Sequence, residues 1–207
     1  PQPRSSMIHP KTEVRFINES KGKGLVATAP IPLGTITWVR DALDREITPA
    51  ELAGYEEKYR DILLTYSFRN QQGNYIFCWD NGRYLNHSFH PNCCLTAYGL
   101  ELAIRDILPG EELTNDYGHF NIIEPFEPFE AATEEGERKV VRPDDLLRYA
   151  PLWDQKLSQA FPHLIAVAQP LRPFVDDRLW EELVLVAQGK IPMTSIRTCA
   201  YPGVKGG

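Results

Sequence analysis

Three short segments carry the side chains from which chemistry could be built. The densest is Arg83-Tyr84-Leu85-Asn86-His87-Ser88-Phe89-His90-Pro91-Asn92-Cys93, which gathers a guanidinium, amides, imidazoles and a thiol. Downstream, Gly110-Glu111-Glu112-Leu113-Thr114-Asn115-Asp116-Tyr117-Gly118 sets carboxylates beside a phenol. Upstream, Ser20-Lys21-Gly22-Lys23-Gly24-Leu25 reads as a turn whose glycines let the backbone approach a ligand and leave amides free to bind it. It is not a dinucleotide fingerprint, because Ala27 takes the third glycine position and no β-α-β unit surrounds it. His87, His90, Cys93 and Cys94 are donor types that zinc prefers. They crowd into one segment with no second pair, however, and adjacent cysteines rarely share an ion. No metal is expected, and local backbone contacts account for the two histidines. Tyr117 by itself reads as a strand-to-turn residue.

The rest of the composition narrows the classes. The chain has 207 residues and a formal charge of −6, which fits one domain with an appendage. That charge disfavours a nucleic-acid binder, whose footprint is basic, and suits a basic partner such as a lysine-containing peptide. Cys78, Cys93, Cys94 and Cys199 form no C-x-x-C pair and are expected as reduced thiols. No apolar run approaches the roughly 20 residues of a membrane helix. Residues 1–11 lack the apolar stretch of a secretory signal, so a soluble intracellular protein is expected, and no membrane partner. The glycosylation-like triplets at Asn18 and Asn86 carry no weight without a secretory route.

The elements that must position these segments are mostly strands. Residues 14–18, 25–29, 35–39 and 75–79 are β-branched or aromatic and bounded by Pro, Gly or Asn turns. Residues 94–98 and 100–104 read as a hairpin about Gly99. Short strands between turns predict a β-rich core rather than β-α-β units. One helix is expected over 49–66, opened by Thr48, Pro49 and Glu51 as a capping box, with Leu52, Tyr55, Tyr59, Ile62, Leu63 and Tyr66 as its core face. Beyond Asn121 the chain turns proline-rich, with helices expected over 144–153, 155–168 and 176–188. Residues from Tyr201 onward read as loosely held.

Taken in order, the motifs Gly22-x-Gly24, Arg83-Tyr84-Leu85-Asn86-His87-Ser88-x-x-Pro91-Asn92 and Gly110-Glu111-Glu112-Leu113-Thr114-x-Asp116-Tyr117 resemble those of the SET-domain protein methyltransferases. The resemblance covers residues 13–121, leaving an N-terminal arm at 1–12 and an extension at 122–207; the helical stretch at 48–68 resembles the family's variable insert. It implies a mainly β fold of small twisted sheets around a pseudoknot, in which the tyrosine segment passes through a loop made by the asparagine-histidine segment. It also implies S-adenosylmethionine as methyl donor and S-adenosylhomocysteine as product. By the same analogy, Lys23, Gly24, Leu25, Arg83, Asn86, His87 and Tyr117 hold the cofactor. Tyr117 is then the catalytic residue, with Asn115 and Tyr75 on the substrate side. The favoured acceptor is a protein lysine.

Two departures qualify the likeness. Phe89 stands where many relatives carry a zinc-binding cysteine, and the tail has only Cys199; the resemblance therefore implies no zinc and a tail that completes the pocket, with Phe126, Phe129 or Trp153 covering the adenine or simply packing. Asn115 replaces the phenylalanine or tyrosine that tunes methylation in relatives. This leaves open a small-molecule acceptor, another side chain such as histidine, or a binding module without turnover.

Overall fold

A computed structural model describes residues 7–128 and 138–203. Its strands are β1 (Thr12–Asn18), β2 (Gly22–Ala27), β3 (Ile36–Val39), β4 (Arg45–Ile47), β5 (Ser67–Arg69), β6 (Tyr75–Phe77), β7 (Asn86–His87), β8 (Cys93–Leu95), β9 (Leu100–Ala103) and β10 (Glu112–Asn115). They form three small sheets, ordered β1-β2-β10-β7, β3-β9-β8 and β4-β6-β5. The helices are α1 (Pro49–Ala53), α2 (Glu57–Tyr66), α3 (Asp145–Ala160) and α4 (Asp177–Ala187). No helix among the described residues is long and apolar enough to cross a membrane.

The first sheet forms because β1 alternates and returns through a tight turn. Asn18 Oδ1 accepts from the backbone N–H groups of Ser20 (3.0 Å) and Lys21 (2.8 Å), an Asx turn that reverses the chain. Gly22 completes it at φ 68°. The glycine segment, expected to be a turn before a strand at 25–29, thus opens β2 itself, with Gly24 opposite Arg15. On its other edge β2 pairs antiparallel with β10, Leu25 facing Leu113. β10 in turn pairs in parallel with β7, Thr114 beside Asn86 and Asn115 beside His87. Asn92 fastens this arrangement: its side chain donates to Glu112 O (2.8 Å) and accepts from Thr114 N (2.9 Å).

The expected hairpin about Gly99 is present, with Cys94 opposite Leu102 and Gly99 at φ 70°. The expected helix over 49–66 is instead two. The Thr48–Glu51 capping box forms, but Gly54 closes the first helix after Ala53 and the second starts at Glu57. Its anticipated core face is only partly buried: Leu52 and Leu63 are buried and Tyr55 packs against them, whereas Tyr59 is 48% and Ile62 49% exposed. β4 and β5, three residues each, carry too little periodicity to have been read.

The two helices expected at 144–153 and 155–168 are one, α3, continued by a 3-10 turn, Phe161–His163. Leu146, Ala150, Trp153, Leu157 and Ala160 recur at helical spacing and are buried in the same core as Leu25, Leu102 and Leu113. Each fully buried leucine among them contributes about 1.5–3 kcal/mol. α4 begins where expected, its cap Asp176 accepting from Arg178 N and Leu179 N. Tyr201, expected to be loose, is held: its N–H donates to Asn121 Oδ1 (2.9 Å), and Arg69 lies over its ring at 4.7 Å. The N-terminal residues add to the fold as well. Ile8 bridges to Trp38, and Asp80 accepts from Met7 N (2.6 Å) and Ile8 N (3.1 Å).

Candidate active site

The parallel β7–β10 pair brings the asparagine-histidine and tyrosine motifs together. The Tyr117 backbone N–H donates to His87 Nδ1 (3.1 Å), and the Tyr117 phenol donates to the carbonyl of Leu85 (3.0 Å). With Nδ1 an acceptor, the imidazole proton is assigned to Nε2, which is buried and has no partner among the described residues. Burial first, and the charge of Arg138 among lesser causes, lower the His87 pKa to about 4 against the opposing pull of Asp116, so the ring is neutral. Burial, and then the charge of Glu112, push the Tyr117 phenol up to about 12. It is a fixed neutral group.

Asn86 reaches the glycine segment. Its Nδ2 donates to Lys23 O (3.0 Å) and Glu112 Oε1 (2.7 Å), leaving Oδ1 for another donor. Glu112 is held from the other side by Lys21 at 3.1 Å. Lys23, Gly24, Leu25, Asn86, His87 and Tyr117 therefore meet in one place. Arg83 comes from the 3-10 turn Asn81–Tyr84 just before β7; its Nε is buried without a partner among the described residues. Phe126 packs on this group, stacked on Tyr117 at 6.0 Å and edge-on to His87 at 6.0 Å. Trp153 instead packs edge-on against His119 at 4.1 Å inside the core, away from any cover role. Phe129 lies outside the described residues.

Tyr117 also borders a cavity of about 440 Å³, which Tyr75, Arg83, Leu85 and Glu101 help to line. This volume is in the range of ligand sites. Its mouth runs past Leu64 of α2 and Ile123, both about half exposed. Asn115 does not line it. The Asn115 side chain is fully buried, donating from Nδ2 to Glu101 Oε1 (2.6 Å) and accepting at Oδ1 from Asp116 N (2.8 Å) and His119 Nδ1 (2.7 Å).

Several residues of this site were not anticipated. Arg138 clamps the tyrosine motif, its Nη1 2.5 Å from Asp116 Oδ2, while Nη2 also pairs with Asp145 of α3. Gly118 makes room for it: a Cβ there would lie 2.7 Å from Arg138 Nη2. Glu101 was hidden within Leu100-Glu101-Leu102-Ala103, where a lone acid in a wholly buried strand is the available signal. Among the described residues, no three His, Cys, Asp or Glu side chains converge as a metal site would require, and all four cysteines are free.

The SET domain family model matches residues 22–118, the span that contains every one of these motifs. The chain is a SET-domain protein. Members of the SET family are S-adenosylmethionine-dependent methyltransferases. Among curated proteins, none matches this chain. The SET domain supplies β2 to the start of the Tyr117 turn; α3 and α4 lie beyond the matched span.

Proposed function

We propose that this SET-domain protein transfers the methyl group of S-adenosylmethionine to the side-chain amine of a protein lysine. The observation that carries the reading is that Asn86 and His87, paired with β10, lie beside a phenol that borders an apolar cavity. We read β7 and β10 as the crossing that the family folds into a pseudoknot. A soluble, intracellular setting goes with this reading.

The residues present fit the cofactor. Asn86 Oδ1 can accept from its ammonium, and Arg83 Nε can pair with its carboxylate. His87 Nε2 is a buried donor awaiting an acceptor. The bare backbone at Gly24 lets these groups close in. Bound there, S-adenosylmethionine supplies an electrophilic sulfonium methyl. Among the described residues Phe126 is the candidate suited to cover the adenine, and the segment that carries it is the part of the extension that completes the pocket.

Tyr117 then works by position. Its proton is committed to Leu85 O, so its oxygen can accept weak C–H contacts from a polarised methyl while its ring fixes the line of attack. At a pKa of about 12 it keeps its proton at neutral pH and does not act as base. The lysine enters as its ammonium and must lose a proton before attack, and a cationic sulfonium held beside it would lower its pKa. Holding amine and donor in line can supply roughly 7–11 kcal/mol of barrier reduction.

Incubation with methyl-labelled S-adenosylmethionine and a proteome extract, read by mass spectrometry, tests the reading: label should appear on lysine. Label confined to small molecules or to other side chains would replace the substrate, and no label despite cofactor binding would replace the activity. Tyr117→Phe should lower turnover by about two orders of magnitude while product-cofactor affinity stays within a factor of about two.

A further inference from the structure

Buried polar atoms without partners mark places where a protein expects a ligand or solvent. In the described residues four such atoms belong to side chains on the wall of one cavity: Trp38 Nε1, Ser67 Oγ, Arg83 Nε and Glu101 Oε2. Glu101 is the only one of the four that is a carboxylate. It is 4% exposed, and its Oε1 is taken by Asn115 at 2.6 Å. No cationic side chain among the described residues forms an ion pair with it. The nearest chain of contacts is neutral: Asn115 receives from His119, whose Nε2 lies 3.7 Å from Cys94 Sγ.

An uncompensated buried carboxylate is costly to a fold. Its surroundings explain what could compensate it. The same cavity is lined by the rings of Trp38, Tyr66, Phe68, Tyr75, Tyr117 and Phe120. Aromatic faces attract cations and accommodate methylene stems. The guanidinium of Arg69, which also lines the cavity, is engaged with the carbonyls of Gly73 (3.3 Å) and Asn121 (3.2 Å) and lies over Tyr75 and Tyr201. What is left without a partner on this wall is one buried carboxylate oxygen, together with the donor atoms Trp38 Nε1, Ser67 Oγ and Arg83 Nε.

We propose that Glu101 is the specificity-determining residue for the methyl acceptor, its Oε2 taking an N–H of an alkylammonium whose stem lies among the cavity's rings. The proposal rests on reading this cavity as the acceptor's channel. It gives Asn115 a positioning role: in place of an aromatic side chain, it fixes Oε1 and leaves Oε2 for the substrate. The cavity then selects protonated amines over neutral groups of the same shape, because an alcohol can donate a hydrogen bond to the acid but brings no charge to pair with it.

The probes are n-butylammonium, which reproduces a lysine side chain, and 1-butanol, its neutral counterpart. Each is titrated into the full chain, with and without S-adenosylhomocysteine, following the indole N–H resonance of Trp38. Butylammonium should bind about tenfold or more tightly than butanol, the scale of a hydrogen bond to a charged group. Glu101→Gln should abolish this preference, and Glu101→Asp should retain part of it. Melting temperature and the affinity for S-adenosylhomocysteine report that each variant is folded. A wild-type protein that does not distinguish the probes, or a Gln variant that still does, overturns the proposal. If S-adenosylhomocysteine binds neither form, the methyltransferase reading fails, and the butylammonium preference still decides the role of Glu101.

Discussion

A Cβ at position 24 would lie 2.5 Å from Glu112 Oε1, 2.7 Å from Ile17 Cγ1 and 2.9 Å from Asn86 Nδ2. All three are side-chain atoms that can retreat, so Gly24→Ala should fold. Asn86 would lose its place against Lys23 O, and calorimetric affinity for S-adenosylhomocysteine should fall about tenfold, the worth of one charge-assisted hydrogen bond. Glu101 makes a second prediction. Burial raises its pKa to about 7, above the unfolded value of 4.5. Its contribution to stability is therefore present below pH 4.5 and is lost as pH rises through 7. Glu101→Gln should raise the melting temperature by a few degrees at pH 8 and leave it nearly unchanged at pH 4.5; an equal change at both would contradict the buried ionisation. At this scale the meeting of Asn86, His87 and Tyr117 was legible only through the likeness of their motifs to the SET family, since Tyr117 by itself read as a strand-to-turn residue. Glu101 and Arg138 were not, since each acquires its meaning from partners on other strands or helices, and Asn115 in sequence gave no hint that its amide is spent on Glu101.

Pro151 sits in the middle of α3, where it removes the N–H that would have bonded the carbonyl of Leu147. Arg197 fills the gap, its Nη1 3.2 Å from Leu147 O. Arg197→Met should cost about 0.5–1.5 kcal/mol in denaturant unfolding. In a Pro151→Ala background, where an N–H returns to that carbonyl, the same change should cost clearly less, and strict additivity in the cycle would rule out this compensation. The next turn is tied down in the same way: Asp154 accepts from Ser195 Oγ (2.5 Å) and Ile196 N (2.9 Å). Helices were expected on both sides of position 154, in a tail read as helical segments broken by prolines, but α3 runs unbroken from Asp145 to Ala160 with Pro151 inside it. α1 and α2 show the reverse error. A continuous apolar stripe suggested one core-facing helix, while only Leu52 and Leu63 of it are buried with β4 and β6, and Tyr55 is partly buried against them.

Across the molecule, Asn121 joins the site to the far end of the chain. In a left-handed conformation at φ 49°, it donates to Arg69 O (3.1 Å) and Cys199 O (2.9 Å) and accepts from Tyr201 N. Ending the chain after Thr198 removes two of these bonds. Hydrogen exchange should then quicken at residues 117–121, which follow the phenol, and stay unchanged in β8 and β9; unaltered protection at 117–121 would show that the clip has no hold on the site. The fold class could be read from strands and turns, but the contribution of α3 to the common core could not, because helical spacing does not say which surface a helix will meet. The parallel pairing of β7 with β10 has a further consequence, in time rather than space. Thr114 meets Asn86 across a long intervening stretch of chain, and such closures come late in folding. A ribosome-bound chain will hold its first hairpin well before the proposed cofactor site is assembled, so binding of S-adenosylhomocysteine during refolding should return after the far-ultraviolet signal has levelled off.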